Sequence, residues 1–303
     1  MFNRLPETLY HYTGISGLRG ILDSSMLYAT NIAYLNDAQE MKHGIKEVSF
    51  LLSPASPVVK DLISENPPFE KAINEVLSRL RAEFVSEHHQ SLLQAPYVSC
   101  LSAMGDQLSQ WQGYAGQGGY AIHFDARTLR NSVRLHGLES DEIKLDRTRY
   151  ALSQIAYTSE DAGSYVAELL DRLVIAIRDQ FEGDPERGDY DLGLSYEFAL
   201  IELEEAVAKM KNSAFEGEHE YRIVAYVPEK AWDNRNSFHE PSSIGLIPRI
   251  KLDFEPSCIT GVTVGPGENM GIRQNSLEHY FDMHWDKFGY TEVIPSDVSL
   301  RPL

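Results

Sequence analysis

Apolar and polar positions alternate along residues 119–125 and 215–227, the two-residue period of a β-strand whose successive side chains point to opposite faces. In the second of these segments the alternation projects Glu218, Glu220 and Arg222 from one face and His219, Tyr221 and Ile223 from the other. Short β-prone runs bounded by turn residues predict further strands at 8–13, 26–29, a segment ending at Ser102, 155–157, 249–254, 259–265 and 291–294. Helical spacing occupies the chain between them. A short helix is expected at 17–22, another opens at the polar turn Asn36-Asp37, and 70–93 carries Ile73, Val76, Leu77, Leu80 and Phe84 on one side. A short helix over 106–114 is followed by longer ones at 162–181, 194–211 and 272–287, and the acidic Gly/Pro-bearing stretch 182–189 is a loop.

Strands that bracket a helical block must pair across it. The pattern therefore predicts one α+β domain over residues 1–303, with helical insertions near 58–94 and 160–212. A 303-residue chain with 43% hydrophobic residues can bury a sizeable core, and no repeat or low-complexity tract interrupts it.

Two carboxylates and a guanidinium in register on one pleated face have two readings. Adjacent like charges repel, so the arrangement is either an exposed, salt-bridged edge strand or a site. Other residues bear on the choice. His11 ends a strand immediately before a helix start, where an imidazole can bond a sugar hydroxyl or a phosphate near the helix dipole; a partly buried structural histidine is the competing reading. Asn36 and Asp37 cap a helix whose Glu40 is spaced to close a capping box. Over residues 106–119, Leu108, Trp111 and Ala115 share a helical face suited to the core, whereas Tyr114 precedes closely spaced glycines and can stack on a flat ring. Those glycines lack the Lys-Ser/Thr continuation of a phosphate-binding loop, and a tight turn explains them equally well.

Charge and cysteine content narrow the classes. A formal charge of −18 argues against an extended duplex nucleic-acid surface. The most basic stretch, from Arg127 to Arg149, is interrupted by Asp141, Glu142 and Asp146 and reads as a solvated face. No apolar run is long enough to span a bilayer, and the first residues lack a signal-peptide pattern, so the expected compartment is the cytoplasm with no membrane partner. Cys100 and Cys258, each in an apolar strand-like run, suit buried small hydrophobes, with a nucleophilic role for Cys100 as the minor alternative. The His88-His89 pair has no partner at ligand spacing, and no metal is expected.

Taken in order, His11-Tyr12-Thr13, Leu35-Asn36-Asp37 with Glu40, Cys100-Leu101-Ser102 with Asp106, Trp111 and Tyr114, then Lys211, Phe215, Glu218, Glu220 and Arg222, and finally 259–265 with Pro266 resemble the bacterial domain-of-unknown-function family 2971. A more distant resemblance is to ADP-ribosyltransferases of the histidine-tyrosine-glutamate class, because His11, Tyr114 and Glu220 occur in the required order. That resemblance implies a mostly antiparallel split β-sheet core and NAD as substrate. It also implies roles: His11 on the nicotinamide-side ribose, Tyr114 stacked on nicotinamide with Tyr120 or Tyr12 as substitutes, and Glu220 steadying the ribosyl cation with Glu218 as its pair. Tyr12, Thr13, Asn36 and Asp37 would lie along the dinucleotide. Arg222 would lock a glutamate rotamer or bind a pyrophosphate oxygen. The implied enzyme transfers ADP-ribose to a macromolecule or hydrolyses NAD, in a toxin or phage-defence setting where an antitoxin or regulatory protein would be a partner. The rival is a non-catalytic ligand-sensing or protein-interaction module on a degenerate version of the same fold.

Overall fold

The computed structural model describes residues 4–35, 40–87, 95–116, 118–137, 148–180, 192–228, 231 and 233–298. Among the described residues, eleven strands join one sheet: β1 (Thr8–Thr13), β2 (Met26–Asn31), β3 (Tyr97–Ser102), β4 (Tyr120–Asp125), β5 (Arg134–Leu135), β6 (Arg149–Gln154), β7 (Glu220–Tyr226), β8 (Ser237–Ser242), β9 (Gly245–Asp253), β10 (Ile259–Val264) and β11 (Glu292–Pro295). Pairing is antiparallel except between β10 and β11. The chain is thus mixed α and β with a largely antiparallel sheet.

The sheet branches at β3. One edge of β3 pairs with β7 along its whole length, from Tyr97↔Ala225 to Ser102↔Glu220, and β6 closes the far side of β7. The other edge is shared. β2 takes Tyr97 and Val98, while β1 takes Ser102 alone. From β1 the sheet runs on through β4, β10 and β11; from β2 it runs through β9 to β5 and β8. Cys100 sits on β3 between the two departing strands, at the fork.

Strand alternation then assigns the two faces of β3 and β7. Val98 and Val224 face a bundle of the helices Glu40–Leu51, Pro57–Glu65, Glu70–Glu87, Ser159–Gln180 and Leu194–Val207, which contribute Val48, Val59, Leu80, Leu170 and Leu203 to one core. Ile73, Val76, Leu77, Leu80 and Phe84 are all buried there, as their spacing predicts. Tyr97, Leu101, Tyr221 and Ile223 face the second core, with Leu9, Leu27, Ile122, Phe124, Leu252 and Val262 from the other strands and the helix Ile15–Ser24 beneath. No helix among the described residues is long and apolar enough to cross a membrane.

Five expected elements change. The strand over 215–227 begins only at Glu220: Ser213–Glu218 is a 3-10 helix capped by the Asn212 side chain on Ala214 N at 2.9 Å, and His219 turns the chain at φ 46°. Nor is it an exposed edge, since β7 is interior and Arg222 is 1% exposed. The strand sought at 155–157 lies earlier, at Arg149–Gln154, because its ladder is built against β7, and Ala156 makes only an isolated bridge to Met210. The helix over 106–114 is one turn, Leu108–Gln110, running into a π-turn over Trp111–Ala115 that buries Trp111 and Ala115 but leaves Leu108 exposed. The helix sought at 194–211 stops at Val207, and the one sought at 272–287 is interrupted at His284 into Met270–Met283 and Trp285–Phe288. The cap Asn36-Asp37, the His88-His89 pair and the 182–189 loop lie outside the described residues.

Two helices of the bundle meet at a glycine. A Cβ on Gly44 would stand 2.8 Å from Val207 Cγ1 and 2.9 Å from Val207 O, so the helices Glu40–Leu51 and Leu194–Val207 touch backbone to backbone there. Gly44→Leu is expected to destabilise the fold by about 1–3 kcal/mol through overpacking, less the ~1 kcal/mol gained by replacing a mid-helix glycine. Urea unfolding of the variant and the wild type measures it; a midpoint raised as the glycine replacement alone would raise it would contradict the close approach.

Candidate functional site

β7 places Glu220 and Arg222 on the bundle-facing side, opposite Ser102 and Cys100 of β3. There the guanidinium holds Glu220 twice, Nε to Oε1 at 2.6 Å and Nη2 to Oε2 at 3.1 Å. It also reaches Glu40 Oε2 at 2.9 Å and donates from Nη1 to Ala208 O at 3.1 Å. The Lys211 ammonium contacts three carboxylates, Glu218 at 2.7 Å, Glu220 at 2.9 Å and Glu40 at 3.1 Å. Five charged groups are taken out of water together, a cost met only when ion pairing and hydrogen bonds are near complete. Here they are. Burial alone would raise the Glu220 pKa, but Arg222 and Lys211 outweigh it and hold the carboxyl down to about 2. Burial likewise disfavours the Lys211 cation, and the Glu220 and Glu40 carboxylates outweigh it, raising its pKa.

Three carboxylates face two cations, so the cluster carries one formal negative charge in excess. Its members differ in access to solvent. Arg222, Glu220 and Glu40 are sealed, whereas the Glu218 side chain is 19% exposed. Glu218 sits at the end of the 3-10 helix, and that end is pinned from β3: Ser102 Oγ donates to Glu218 O at 2.9 Å, and Gln107 Nε2 donates to Gly217 O at 2.6 Å.

A cleft of about 70 Å³ opens over this cluster at the fork of the sheet, lined by Tyr10, His11, Tyr12, Cys100, Leu101, Ser102, Gln110, Tyr114, Glu218 and Glu220. His11 bridges the fork, its Nδ1 donating to Cys100 O at 3.0 Å. A carbonyl can only accept, so the proton is on Nδ1 and Nε2 is left as an acceptor. Burial lowers the His11 pKa and keeps this neutral form. Tyr114 is 47% exposed and donates to Glu218 Oε1 at 3.2 Å across the cleft mouth. Burial and the Glu220 charge push the Cys100 thiol up, which removes the thiolate that a nucleophile requires.

The remaining sequence candidates fall elsewhere or do other work. Tyr12 donates to Met104 O at 2.7 Å, accepts from Gln107 N at 3.1 Å and packs edge-on against Trp111, so its hydroxyl is spent on the 103–107 turn. Thr13 pairs with Tyr120 at the other end of the β1–β4 ladder, and neither lines the cleft; Tyr120 is buried in the second core with the Arg273 guanidinium over its ring. Arg222 is sealed beneath Glu220 and cannot reach a pyrophosphate. Asn36 and Asp37 lie outside the described residues. Glu40, read as a capping-box residue, turns its carboxylate inward to Arg222 and Lys211.

Several participants were not singled out as site residues. Glu40 and Lys211 stood in the ordered set that carried the family resemblance, and beyond it Glu40 had only its capping-box spacing. Ser102 stood in the same ordered set, and Gln110 and Tyr10 had no signal at all. Tyr157 reaches the site from behind, its hydroxyl accepting the Glu220 amide at 2.9 Å. Among the described residues no cluster of three or more His, Cys, Asp or Glu could hold a metal ion.

The cluster predicts how stability responds to pH and to loss of one partner. Glu220 is depressed below its ordinary 4.5, so its contribution is present above that value and lost as pH falls toward about 2. Arg222→Met, which leaves buried carboxylates short of a cation, is expected to cost about 3–5 kcal/mol at neutral pH. The gap between wild type and variant should narrow as pH falls from 4.5 toward 2. Urea titrations across that range measure both; a gap that is small at pH 7 or independent of pH would contradict the electrostatic account.

Residues 110–223 match the model of a family described as protein of unknown function (DUF2971). The match includes Gln110, Trp111, Tyr114, Lys211, Glu218, Glu220 and Arg222, while His11, Glu40 and Cys100 lie outside it. No curated protein and no solved structure matches the chain. Over somewhat more than a third of its length, in a segment that carries the buried ion cluster apart from Glu40, this chain is similar to the DUF2971 family.

Proposed function

We propose that the cleft at the sheet fork receives the nicotinamide riboside end of NAD and that the chain is an ADP-ribosyltransferase-like enzyme, with water or a macromolecule as acceptor. One observation carries this reading: His11, Tyr114 and the paired glutamates, separated by up to two hundred residues, line one cleft. Their chemistry is complementary to a glycosidic bond under cleavage. As the C1′–N bond breaks, its electron pair leaves with nicotinamide and positive charge develops on the ribose. A fixed carboxylate beside C1′ stabilises that charge. His11 Nε2 can accept a ribose hydroxyl, and the Tyr114 ring can cover the leaving group.

The geometry changes which glutamate does this. Both oxygens of Glu220 are taken by Arg222 and Lys211, so Glu220 anchors the site. Glu218, paired with Lys211 through Oε2 and with a tyrosine through Oε1, is the carboxylate with a face toward solvent. A volume of about 70 Å³ is well below that of ordinary ligand sites. Substrate entry therefore requires the Tyr114 ring to turn outward, which breaks its 3.2 Å bond to Glu218 and frees Oε1 for the ribose.

That small volume and the saturated Glu220 also favour a second reading, a module that binds a small ligand at the same cleft without turnover. The two readings differ in one measurement. Incubation with NAD is expected to release nicotinamide, and Glu218→Gln is expected to lower the rate by about 10²–10³-fold while shifting the melting temperature less than Arg222→Met. Calorimetric binding of NAD without release would favour the binding module. Wild-type turnover in Glu218→Gln would remove the assigned role.

A further inference from the structure

We infer that a groove on the helical bundle is the docking site for a partner protein presenting an amphipathic helix, apolar on one face and flanked by lysine or arginine. The groove lies between the helices Pro57–Glu65 and Ser159–Gln180, has a volume of about 570 Å³ and shares no lining residue with the cleft at the sheet fork. Its surface is largely apolar, with Leu51, Val58, Leu62 and Ala167, and with Phe50 left 43% exposed. A Cβ on Gly163 would stand 3.3 Å from Val58 Cγ2, so the two walls approach closely there and the seat stays free of a side chain. Lining positions recur at helical spacing from Pro57 to Glu65 on one wall and from Ser159 to Asp171 on the other, which makes each wall one continuous helix face. At ~1.5 Å per residue the walls run for about 12 and 18 Å, the length of roughly two to three turns of a third helix.

Charge selects the occupant. Asp61, Glu65, Glu160 and Asp171 stand on the walls, all exposed, and no lysine, arginine or histidine joins them in the lining. None of the four carboxylates has a cationic partner among the described residues. Elsewhere on the bundle carboxylates are matched: Glu202 by Arg149 and Arg172, and Glu205 by Arg149 and Lys209. The arginines of the second wall helix are engaged outside the groove, Arg172 with Glu202 and Arg178 with Asn66. An unmatched acidic rim disfavours a second copy of this chain, whose formal charge is −18, and disfavours anionic lipid and nucleic acid. Lysine and arginine suit it, because their stems cover apolar surface while their charged heads reach the carboxylates. A helix laid between two helix faces, with its apolar side on the floor and its cations at the rim, satisfies both the shape and the charge.

The test uses three labelled synthetic peptides: a helix-forming peptide of leucine, lysine and alanine with its leucines on one face, a scrambled peptide of the same composition, and the first peptide with glutamate in place of lysine. Fluorescence anisotropy at physiological ionic strength follows their binding to the wild type and to three variants, with thermal melts of each. Asp61→Lys/Glu65→Lys reverses the rim and Ala167→Trp fills the groove. Asp282→Lys/Asp286→Lys makes the same change in net charge at exposed positions outside the groove. The wild type is expected to bind the amphipathic lysine peptide at least about tenfold more tightly than the other two, and the rim and groove variants are each expected to weaken it about tenfold or more. The outside variant is expected to retain binding within about threefold, since long-range attraction alone is screened by salt. Equal binding of the scrambled peptide, or an equal loss in the outside variant, would reduce the effect to net charge and overturn the inference. No binding to the wild type at millimolar peptide would overturn it too. A wild type that is dimeric in solution and turned monomeric by Ala167→Trp would name a second copy as the occupant, against the inference. If Ala167→Trp fails to fold, the exposed rim reversal decides alone.

Discussion

Arg222 is the residue on which the rest of the architecture leans. Its guanidinium is sealed between β7 and the helical bundle: it holds Glu220 on its own strand and joins the two layers through Glu40 at the start of the helix Glu40–Leu51 and the carbonyl of Ala208 just past the helix Leu194–Val207. A buried cation is tolerated only where such partners are fixed in place. The same two helices meet at Gly44 and Val207, so apolar contact and ion pairing constrain one another. Lys211 extends the network to Glu218 and so couples the bundle to the mouth of the cleft.

Charge in excess and access to solvent are separated within that network. The carboxylates that need neutralising most, because they are most deeply buried, are Glu220 and Glu40, and both cations contact both of them. What remains negative is concentrated at the rim, on Glu218. An anionic group held rigid at the edge of a dry region is suited to stabilising positive charge that appears only during a reaction, since no solvent has to reorganise around it. The cleft beside it exists because β1 leaves β3 after a single paired residue, and His11 fills the gap that this departure opens.

Much of this was legible along the chain. The alternation over β7 correctly separates Glu220 and Arg222 from Tyr221 and Ile223, and the aliphatic face over 70–84 is buried as its period requires. The order of His11, Tyr114, Glu218 and Glu220 drew attention to residues that share a cleft. The 3-10 helix before Glu220 was not legible, because Phe215-Glu216-Gly217-Glu218 keeps a strand-like alternation while the Asn212 cap and the left-handed His219 override it. Tyr12, Tyr114 and Tyr120 could not be ranked from sequence either. One is committed to a turn, one is half-exposed at the cleft, and one is buried in the core, and only the packing of β1 against β4 and the π-turn distinguishes them.

The sequence by itself determined the periodicities, and with them which side chains share a face of each element, because that follows from local backbone geometry. How the buried carboxylates are matched to cations was decided by tertiary structure alone. Glu40 and Arg222 are 182 positions apart and Lys211 lies in an irregular turn, so no local period relates them. Their pairing is a property of how the bundle is laid on the sheet. The same holds for the two glutamates: both fit one alternating pattern in the sequence, and it is packing over Arg222 that buries Glu220 while Glu218 keeps a face toward solvent.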